Sequence, residues 1–321
     1  MVLIFRKKRE GRLSIEKVFE PLLNHVEKVE LPTELKSVGS ALKIAKFLWK
    51  IRSKNIHVTG DVHYVTFLLF WKKSILTVHD LNSYEEKTGI NKLVYGFIWF
   101  WLPLKTANII TVISPYTKQQ LQTHFKVREE KIVVINNSFV EPLSKTVEAI
   151  VPDRNVTNIL VIGTKKNKNI PSLIKAIKGM ANIRLLIVGY IDNKLMKLLQ
   201  TNEICFKSFF NVSEKELGHV YRMADVLYFA STKEGFGLPI LEAQSLGLPV
   251  ITSKTCAMPF VAGDGAVLVD PYEVAEIKQA ITIITDDIVE RNRIINNGYE
   301  NIRRFSVDDF VSKYLTLYKA L

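Results

Sequence analysis

Short apolar runs recur along the chain, separated by stretches in which apolar positions fall three and four apart. This alternation predicts strands joined by helices of about 10–15 residues, the arrangement of parallel sheets covered on both faces. In the first half the runs predict strands at Val2–Phe5, Val26–Leu31, Asn55–Thr59, Ser74–Val78, Asn108–Ile113 and Lys131–Ile135, with helical patterns at Val38–Ile51 and Asp61–Trp71. A polar stretch from Lys145 to Asn158 then breaks the periodicity and reads as an interdomain linker. The alternation resumes with strands at Asn158–Gly163, Ile183–Gly189, Asp225–Ser231 and Pro249–Ser253. Ile170, Leu173, Ile174 and Ile177 form a one-sided helical stripe, and Ser213 with Glu216 forms a capping box before another helix. The chain closes on a helix capped by Ser306, with Phe310, Val311, Tyr314 and Tyr318 along one side. The pattern predicts two doubly wound α/β halves, with ligands bound in a cleft at the carboxyl ends of the strands.

Composition narrows the function classes. With 321 residues, 47% of them hydrophobic, the chain can bury two cores of ordinary domain size. Cys205 and Cys256 give neither a disulfide framework nor metal-ligand spacing and read as ordinary buried thiols. The opening MVLIFRKKRE places its apolar run before its basic residues, the reverse of a secretory signal, and reads as a first strand. The longest apolar run, Leu93 to Leu104, falls short of the roughly 18 residues that a spanning helix needs. Net charge is +12, unevenly spread: residues 1–150 hold 23 Lys and Arg against 14 Asp and Glu, and all four tryptophans. A basic, aromatic half fits an anionic partner: nucleic acid, an anionic membrane or a phosphorylated acceptor.

The chemistry concentrates in Ser231 to Val250, STKEGFGLPILEAQSLGLPV. A strand ends near Ser231, a loop carries Glu234, and Gly235 and Gly237 let the backbone approach a ligand. Pro239 suits the first turn of a helix about two turns long, Gly247 its end, and Glu242 is expected near its start. The N-terminus of such a helix offers free N–H groups and partial positive charge to a diphosphate, while Glu242 suits a vicinal diol and Glu234 sugar hydroxyls. A second element follows a strand: Gly163-Thr-Lys-Lys-Asn-Lys168, with Asn169 expected to cap the next helix. A third is His79, with Asp80, at the end of the Ser74–Val78 strand.

The Ser231–Val250 segment resembles the E-x7-E signature of the retaining glycosyltransferases of family 4, carried here by Glu234 and Glu242. ADVLYFAS before it, GLPVITS after it and GDGAVLVDP at Gly263–Pro271 extend the resemblance over residues 213–271. The family implies a GT-B fold: two Rossmann-like doubly wound domains facing each other across a cleft. Residues 1–150 would then be the acceptor-side domain, 151–305 the nucleotide-sugar donor domain, and 306–321 a helix packing back toward the first. Resemblance implies that Glu242 holds the nucleotide ribose and that Glu234 touches the transferred sugar. The backbone of Gly235, Phe236, Gly237 and Leu238 would lie beside them, Gly163 and Gly189 would border the donor, and Lys168 would neutralise the diphosphate. His79 would meet the donor sugar or the acceptor. Two positions depart from the pattern: the family's arginine after the glycine is Thr164 here, leaving Lys165 or Lys166 to supply its charge, and Gly11 is followed by Arg12 where paired glycines are usual.

The implied activity is transfer of a sugar, with retention, from a UDP- or GDP-linked donor to a glycan or lipid-linked acceptor. The sequence contains no Asp-x-Asp, so no metal and no cofactor is expected, with cationic side chains serving the leaving diphosphate. A dehydrogenase would need G-x-G-x-x-G after a strand, and none occurs. No nucleic-acid-binding module is present either. A sugar-nucleotide epimerase of the same fold and a non-catalytic partner subunit stay open. A cytoplasmic protein, resting peripherally on the inner membrane face through its basic half, is the expected setting. Against that, Asp61–Trp71 and Leu93–Leu104 would serve equally as core helices covering a sheet.

Overall fold

A computed structural model describes residues 1–7, 14–139 and 156–321. The chain forms two compact units, one of Met1–Ser138 with Val307–Leu321, the other of Phe139–Ser306. Most of the linker stretch Lys145–Asn158 lies outside the described residues, as does Gly11.

The N-terminal unit holds β1 (Val2–Phe5), β2 (Glu27–Glu30), β3 (Asn55–Val58), β4 (Lys73–Val78), β5 (Ile109–Val112) and β6 (Ile132–Val134). They pair in the order β2-β1-β3-β4-β5-β6, every pairing parallel. The C-terminal unit repeats the plan with β7 (Thr157–Ile162), β8 (Ile183–Val188), β9 (Phe206–Phe209), β10 (Val226–Phe229), β11 (Val250–Ser253) and β12 (Val267–Val269), in the order β12-β11-β10-β7-β8-β9. These pairings are parallel as well. Parallel strands need helical crossovers, which bury both faces of a sheet, so the inner strands are Val-, Ile- and Leu-rich without alternation. Leu3, Ile4, Ile56 and Leu76 in one unit, and Ile159, Leu160, Leu185 and Leu186 in the other, are fully buried. Of the twelve strands, ten match the apolar runs, β12 lies in the Gly263–Pro271 segment that extends the family resemblance, and β9 went unanticipated. It is an edge strand whose Lys207 and Ser208 are exposed, so it carries no apolar run.

Two local expectations are corrected. Asp61–Trp71 contains one helical turn, Val65–Leu68, instead of a full helix. Gly60 and Asp61 both take positive φ, +130° and +56°, and the Val62 N–H closes a tight turn on the Gly60 carbonyl, which no helix accommodates. The two cysteines are not buried: Cys205 is exposed and Cys256 partly so. Leu93–Leu104 runs through one continuous helical stretch, Gly89–Gly96, a π-helical turn Phe97–Trp101 and Leu102–Thr106. Among the described residues no helix is long and apolar enough to cross a membrane.

The C-terminal helix Val307–Ala320 completes the N-terminal unit. Phe310 packs on Phe19 with ring centroids 5.9 Å apart, and Tyr314 stacks on His57 at 5.1 Å. His57 lies between two elements, its Nδ1 2.7 Å from the Tyr318 hydroxyl and its Nε2 2.7 Å from Thr77 Oγ1. Burial pushes the His57 imidazole down to about 3, and burial likewise lowers His63 to about 4. Both rings are therefore neutral in the fold and protonate near 6.5 when unfolded. The unfolded chain binds more protons, so stability is complete above about pH 6.5 and drains away as pH falls toward the folded values. We expect thermal unfolding to shift to lower temperature between pH 6.5 and 4. Each buried histidine contributes a slope of roughly 1.4 kcal/mol per pH unit. His57→Gln should remove one such slope; an unaltered pH profile in that variant would contradict the assignment.

Candidate functional site

Where a doubly wound sheet reverses the direction in which strands are added, the loops leaving two adjacent strands diverge and open a crevice at their carboxyl ends. In the C-terminal unit this reversal falls between β7 and β10. The loop after β7 carries Gly163, Thr164 and Lys168, and the loop after β10 carries Glu234, Gly235, Phe236 and Gly237. Hydrogen bonds join the two loops. The Thr232 N–H donates to the Asn167 carbonyl at 2.8 Å. Asn167 Nδ2 donates to the Lys233 carbonyl at 2.9 Å and to Glu234 Oε1 at 2.8 Å. Lys168 Nζ donates to the same Glu234 oxygen at 2.5 Å. The Lys168 ammonium also lies 4.1 Å from the centre of the Phe229 ring, an additional attraction. The Lys168 and Glu234 side chains are 16% and 19% exposed, so the pair is sheltered yet reachable.

The glycines here are structural conditions for that pair. Gly163 has φ +86°, and a Cβ on it would lie 3.0 Å from Lys168 Cε, across the path of the lysine stem. Gly189, ending β8, packs against Thr164 in the same way. The Thr164 hydroxyl donates to the Tyr190 carbonyl at 2.6 Å and is thus engaged by backbone. Lys165 and Lys166 are exposed on the same loop. Asn169 is not the side-chain cap that its position predicted. It adopts left-handed φ, donates through Nδ2 to the Pro271 carbonyl, and accepts from Ser172 through Oδ1.

Gly237, at φ +119°, opens the helix Leu238–Ser245, and no side chain caps that end. The N–H groups of its first turn are those a helix cannot satisfy internally. Pro239 stands in that turn, and Gly247 follows the end at φ +67°. Glu242 sits mid-helix rather than at the start, because the helix begins at Leu238, one residue before the proline. It accepts a hydrogen bond from the Tyr221 hydroxyl through Oε2. Burial, then the Glu242 charge, push that hydroxyl well above the ordinary phenol range, so it stays a donor. Tyr221 belongs to the helix Glu214–Met223, whose start is fixed by the predicted Ser213–Glu216 capping box. Phe236 points its ring into the core against Phe305, at 5.5 Å, so only its backbone is left for a ligand.

The N-terminal unit reverses between β1 and β3. There a pocket of about 270 Å³ opens, lined by Arg6, Asp61, His63, His79, Tyr95 and Trp99 among others. Arg6 is buried and paired with Asp61 and, through Nε and Nη2, with both oxygens of Glu16. His79 donates from Nε2 to the Thr59 carbonyl at 2.7 Å, and burial lowers its affinity for a second proton. The ring is therefore neutral, with Nδ1 as an acceptor. Asp80 accepts from the Asn82 N–H in its loop. Ser114 caps the helix Pro115–Phe125, and Asn137 is buried. Sequence reasoning passed over Asn167 and Tyr221, and over Arg6, Asp61 and His63. Asn167 adjoins Lys168 and could have been read from the loop, whereas the Tyr221 hydroxyl lies 21 positions from Glu242 with no local signal.

Residues 2–139 match the model of Glycosyltransferase Family 4, and residues 148–301 match Glycosyl transferases group 1. The O-antigen chain mannosyltransferase B of Escherichia coli is 31% identical over 294 residues, covering 85% of this chain and 77% of that protein. The O-antigen chain mannosyltransferase RfbU of Salmonella typhimurium is 27% identical over 265 residues, covering 79% of this chain and 73% of its own length. In fold, HepE of Anabaena, solved with UDP and glucose, superposes with a TM-score of 0.83 at 18% identity over 100% of both chains.

Gly60 is the position on which the His79 geometry turns. A Cβ there would lie 2.5 Å from His79 Cδ2, at a φ of +130° that side chains rarely adopt. Gly60→Ala is expected to cost about 1–3 kcal/mol of stability from backbone strain. It should also displace the imidazole from the Thr59 carbonyl. Denaturant unfolding reads the first effect and the histidine ring signals in an NMR spectrum the second.

Proposed function

We propose, from the premise that this chain belongs to the GT-B glycosyltransferases, that its C-terminal unit binds a nucleotide-diphosphate sugar at the β7–β10 crevice and donates the sugar with retention. Glycosyl transfer in glycan building is the activity of the family; the donor, the stereochemistry and the residue roles are the proposal. The observation that carries it is the joining of two loops at the switch point, which sets Lys168 and Glu234 together beside an uncapped helix N-terminus.

Each group has a chemical part. Glu242, held by Tyr221, accepts hydrogen bonds from the ribose diol. The first-turn N–H groups at Leu238 and the Lys168 ammonium meet the diphosphate, where negative charge grows as the glycosidic bond breaks. Pairing with Glu234 keeps that ammonium in place beforehand, so little reorganisation is required in the reaction. Glu234 and the backbone of Gly235, Phe236 and Gly237 receive the sugar hydroxyls, with Gly163 and Gly189 leaving room alongside. Thr164 adds no charge, and Lys165 and Lys166 are the candidates to replace it. The bond from the anomeric carbon to the phosphate oxygen breaks and that from the acceptor oxygen forms on the same face. The acceptor proton leaves with the diphosphate. Charge stabilisation by Lys168 and the helix makes the step independent of a metal ion.

The two mannosyltransferase relatives support mannose as the transferred sugar and an O-antigen-like glycan as the acceptor. The nucleotide base is uridine or guanosine. The N-terminal pocket suits the acceptor, with the neutral His79 accepting from a hydroxyl and the stacked Tyr95–Trp99 pair forming part of the wall. A cytoplasmic setting, peripheral to the membrane that carries such acceptors, goes with this reading.

A thermal-shift screen over UDP, GDP and their sugars tests the site, since a ligand at 100 times its Kd stabilises the fold by about 2.7 kcal/mol. Glu242→Ala should abolish the shift; an undiminished shift in that variant rules out the donor assignment. Tyr221→Phe, which removes a hydrogen bond to a charged group, should weaken nucleotide binding by about tenfold. Lys168→Ala should lower kcat by about a hundredfold or more while the fold persists. Turnover should be indifferent to EDTA, and NMR of the product should show the donor's anomeric configuration.

A further inference from the structure

The turn after β3 holds Asp61 in a backbone conformation that few residues with side chains adopt, φ +56°, directly after Gly60 at +130°. Such strain persists only where the surroundings impose it, and it clusters where a side chain is presented to a ligand. Here the surroundings are explicit. The Val62 N–H closes on the Gly60 carbonyl at 2.6 Å, and the Trp99 indole N–H donates to the Asp61 carbonyl at 3.4 Å. Arg6 holds the side chain. Its Nη1 donates to Asp61 Oδ2, while Nε and Nη2 form a fork on the two oxygens of Glu16, at 3.1 and 3.2 Å. Arg6 is 8% exposed, so this guanidinium is a fixed internal support. The Asp61 side chain, by contrast, is 49% exposed and lines the 270 Å³ pocket of the N-terminal unit.

Two groups lining the same pocket share its polarity. His79 donates from Nε2 to the Thr59 carbonyl at 2.7 Å, and His63 from Nδ1 to the Trp99 carbonyl at 2.8 Å. A carbonyl only accepts, so each contact fixes the tautomer, and in the neutral rings His79 Nδ1 and His63 Nε2 are the acceptors. Burial lowers the proton affinity of both rings and keeps them neutral. A carboxylate with two acceptor nitrogens matches a ligand that donates hydrogen bonds. A sugar with adjacent hydroxyls does so, and the two oxygens of one carboxylate can take both O–H groups of such a pair. A phosphate ester at neutral pH presents acceptor oxygens instead. The Arg6 groups suited to meet it already serve Glu16 and Asp61.

We propose that Asp61 is the residue that selects the acceptor, by binding two adjacent hydroxyls of an uncharged terminal sugar, with Arg6 as the positioning residue that holds it. The sugar end of the acceptor, and not a phosphorylated headgroup, is what the N-terminal pocket recognises. The role in selection rests on reading that pocket as the acceptor site; the binding of sugar to Asp61 does not.

The test titrates the full chain, without nucleotide, with three sets of probes. They are the methyl glycosides of mannose, glucose and galactose, their 3-deoxy counterparts, which lack any pair of adjacent hydroxyls, and methyl phosphate. Histidine ring signals in NMR spectra locate the binding at the pocket. At least one methyl glycoside should bind, at least about tenfold tighter than its 3-deoxy counterpart and than methyl phosphate. Asp61→Asn keeps a residue that tolerates left-handed φ and leaves Arg6 on Glu16. It should weaken glycoside binding about tenfold, through loss of hydrogen bonds to a charged group. Asp61→Gly, equally suited to that backbone, should weaken it at least as much. In turnover both variants should raise KM for the acceptor far more than they lower kcat. Arg6→Lys, which keeps the charge but not the fork, should shift KM in the same direction. Circular dichroism and the nucleotide thermal shift should stay unchanged throughout. No glycoside binding, methyl phosphate bound as tightly, or glycoside binding that both Asp61 variants retain would overturn the proposal. Glycoside binding that the variants lose without any change in acceptor KM would sink the acceptor reading and leave the sugar site standing. A nucleotide shift without glycoside binding would sink this inference alone.

Discussion

The C-terminal unit depends on one geometric constraint: parallel strands deliver every loop to the same edge of the sheet, and a reversal of winding separates two of those loops. At β7 and β10 the separation is bridged by Asn167, whose carbonyl and side chain together hold the opposite loop. With the loops fixed, Lys168 and Glu234 cannot avoid each other, and the resulting pair is sheltered without being closed off. An ion pair of this exposure contributes little to stability by itself. Its consequence is to hold two charges of opposite sign at fixed positions in the loops that meet at the switch point.

The N-terminal unit uses the same reversal differently. Its pocket is lined by Arg6, which is paired with Asp61 and Glu16, and by the neutral His63 and His79. The last helix of the chain binds to this unit through Phe310, Tyr314 and Tyr318, so the N-terminal unit requires both ends of the sequence. His57 is central to that closure. Its two ring nitrogens serve a strand residue on one side and the final helix on the other, which makes the closure sensitive to acid.

Charge and exposed aromatic surface separate the units as well. Part of the basic excess of the first 150 residues lies on the helix Val38–Trp49, whose Val38, Leu42 and Trp49 are exposed. Core-facing residues of the same helix, Ile44 and Leu48, show that the folding requirement is already met from the other side. The outward rings are therefore surplus to the fold, and surplus apolar surface of this kind marks a contact.

The order of strands and helices was legible in the sequence, because buried parallel strands must be apolar on both faces and helices must repeat every three to four residues. Ten of the twelve strands follow from the apolar runs, β12 falls in the segment carried by the family resemblance, and β9 escapes both because its exposed Lys207 and Ser208 leave no apolar run. The sequence also contained the Glu234–Glu242 spacing, the glycines around it and the Lys168 loop, since these are local and chemically marked. It did not contain the partners. That Lys168 pairs with Glu234 across 66 positions, that Tyr221 secures Glu242, and that Asn169 bonds the Pro271 carbonyl instead of capping its own helix were decided by tertiary packing. The turn at Gly60 and Asp61, which ends a pattern that otherwise reads as helix, belongs to the same class. Periodicity records which side of an element is buried; which polar groups meet there depends on strand order, and only the folded chain fixes that.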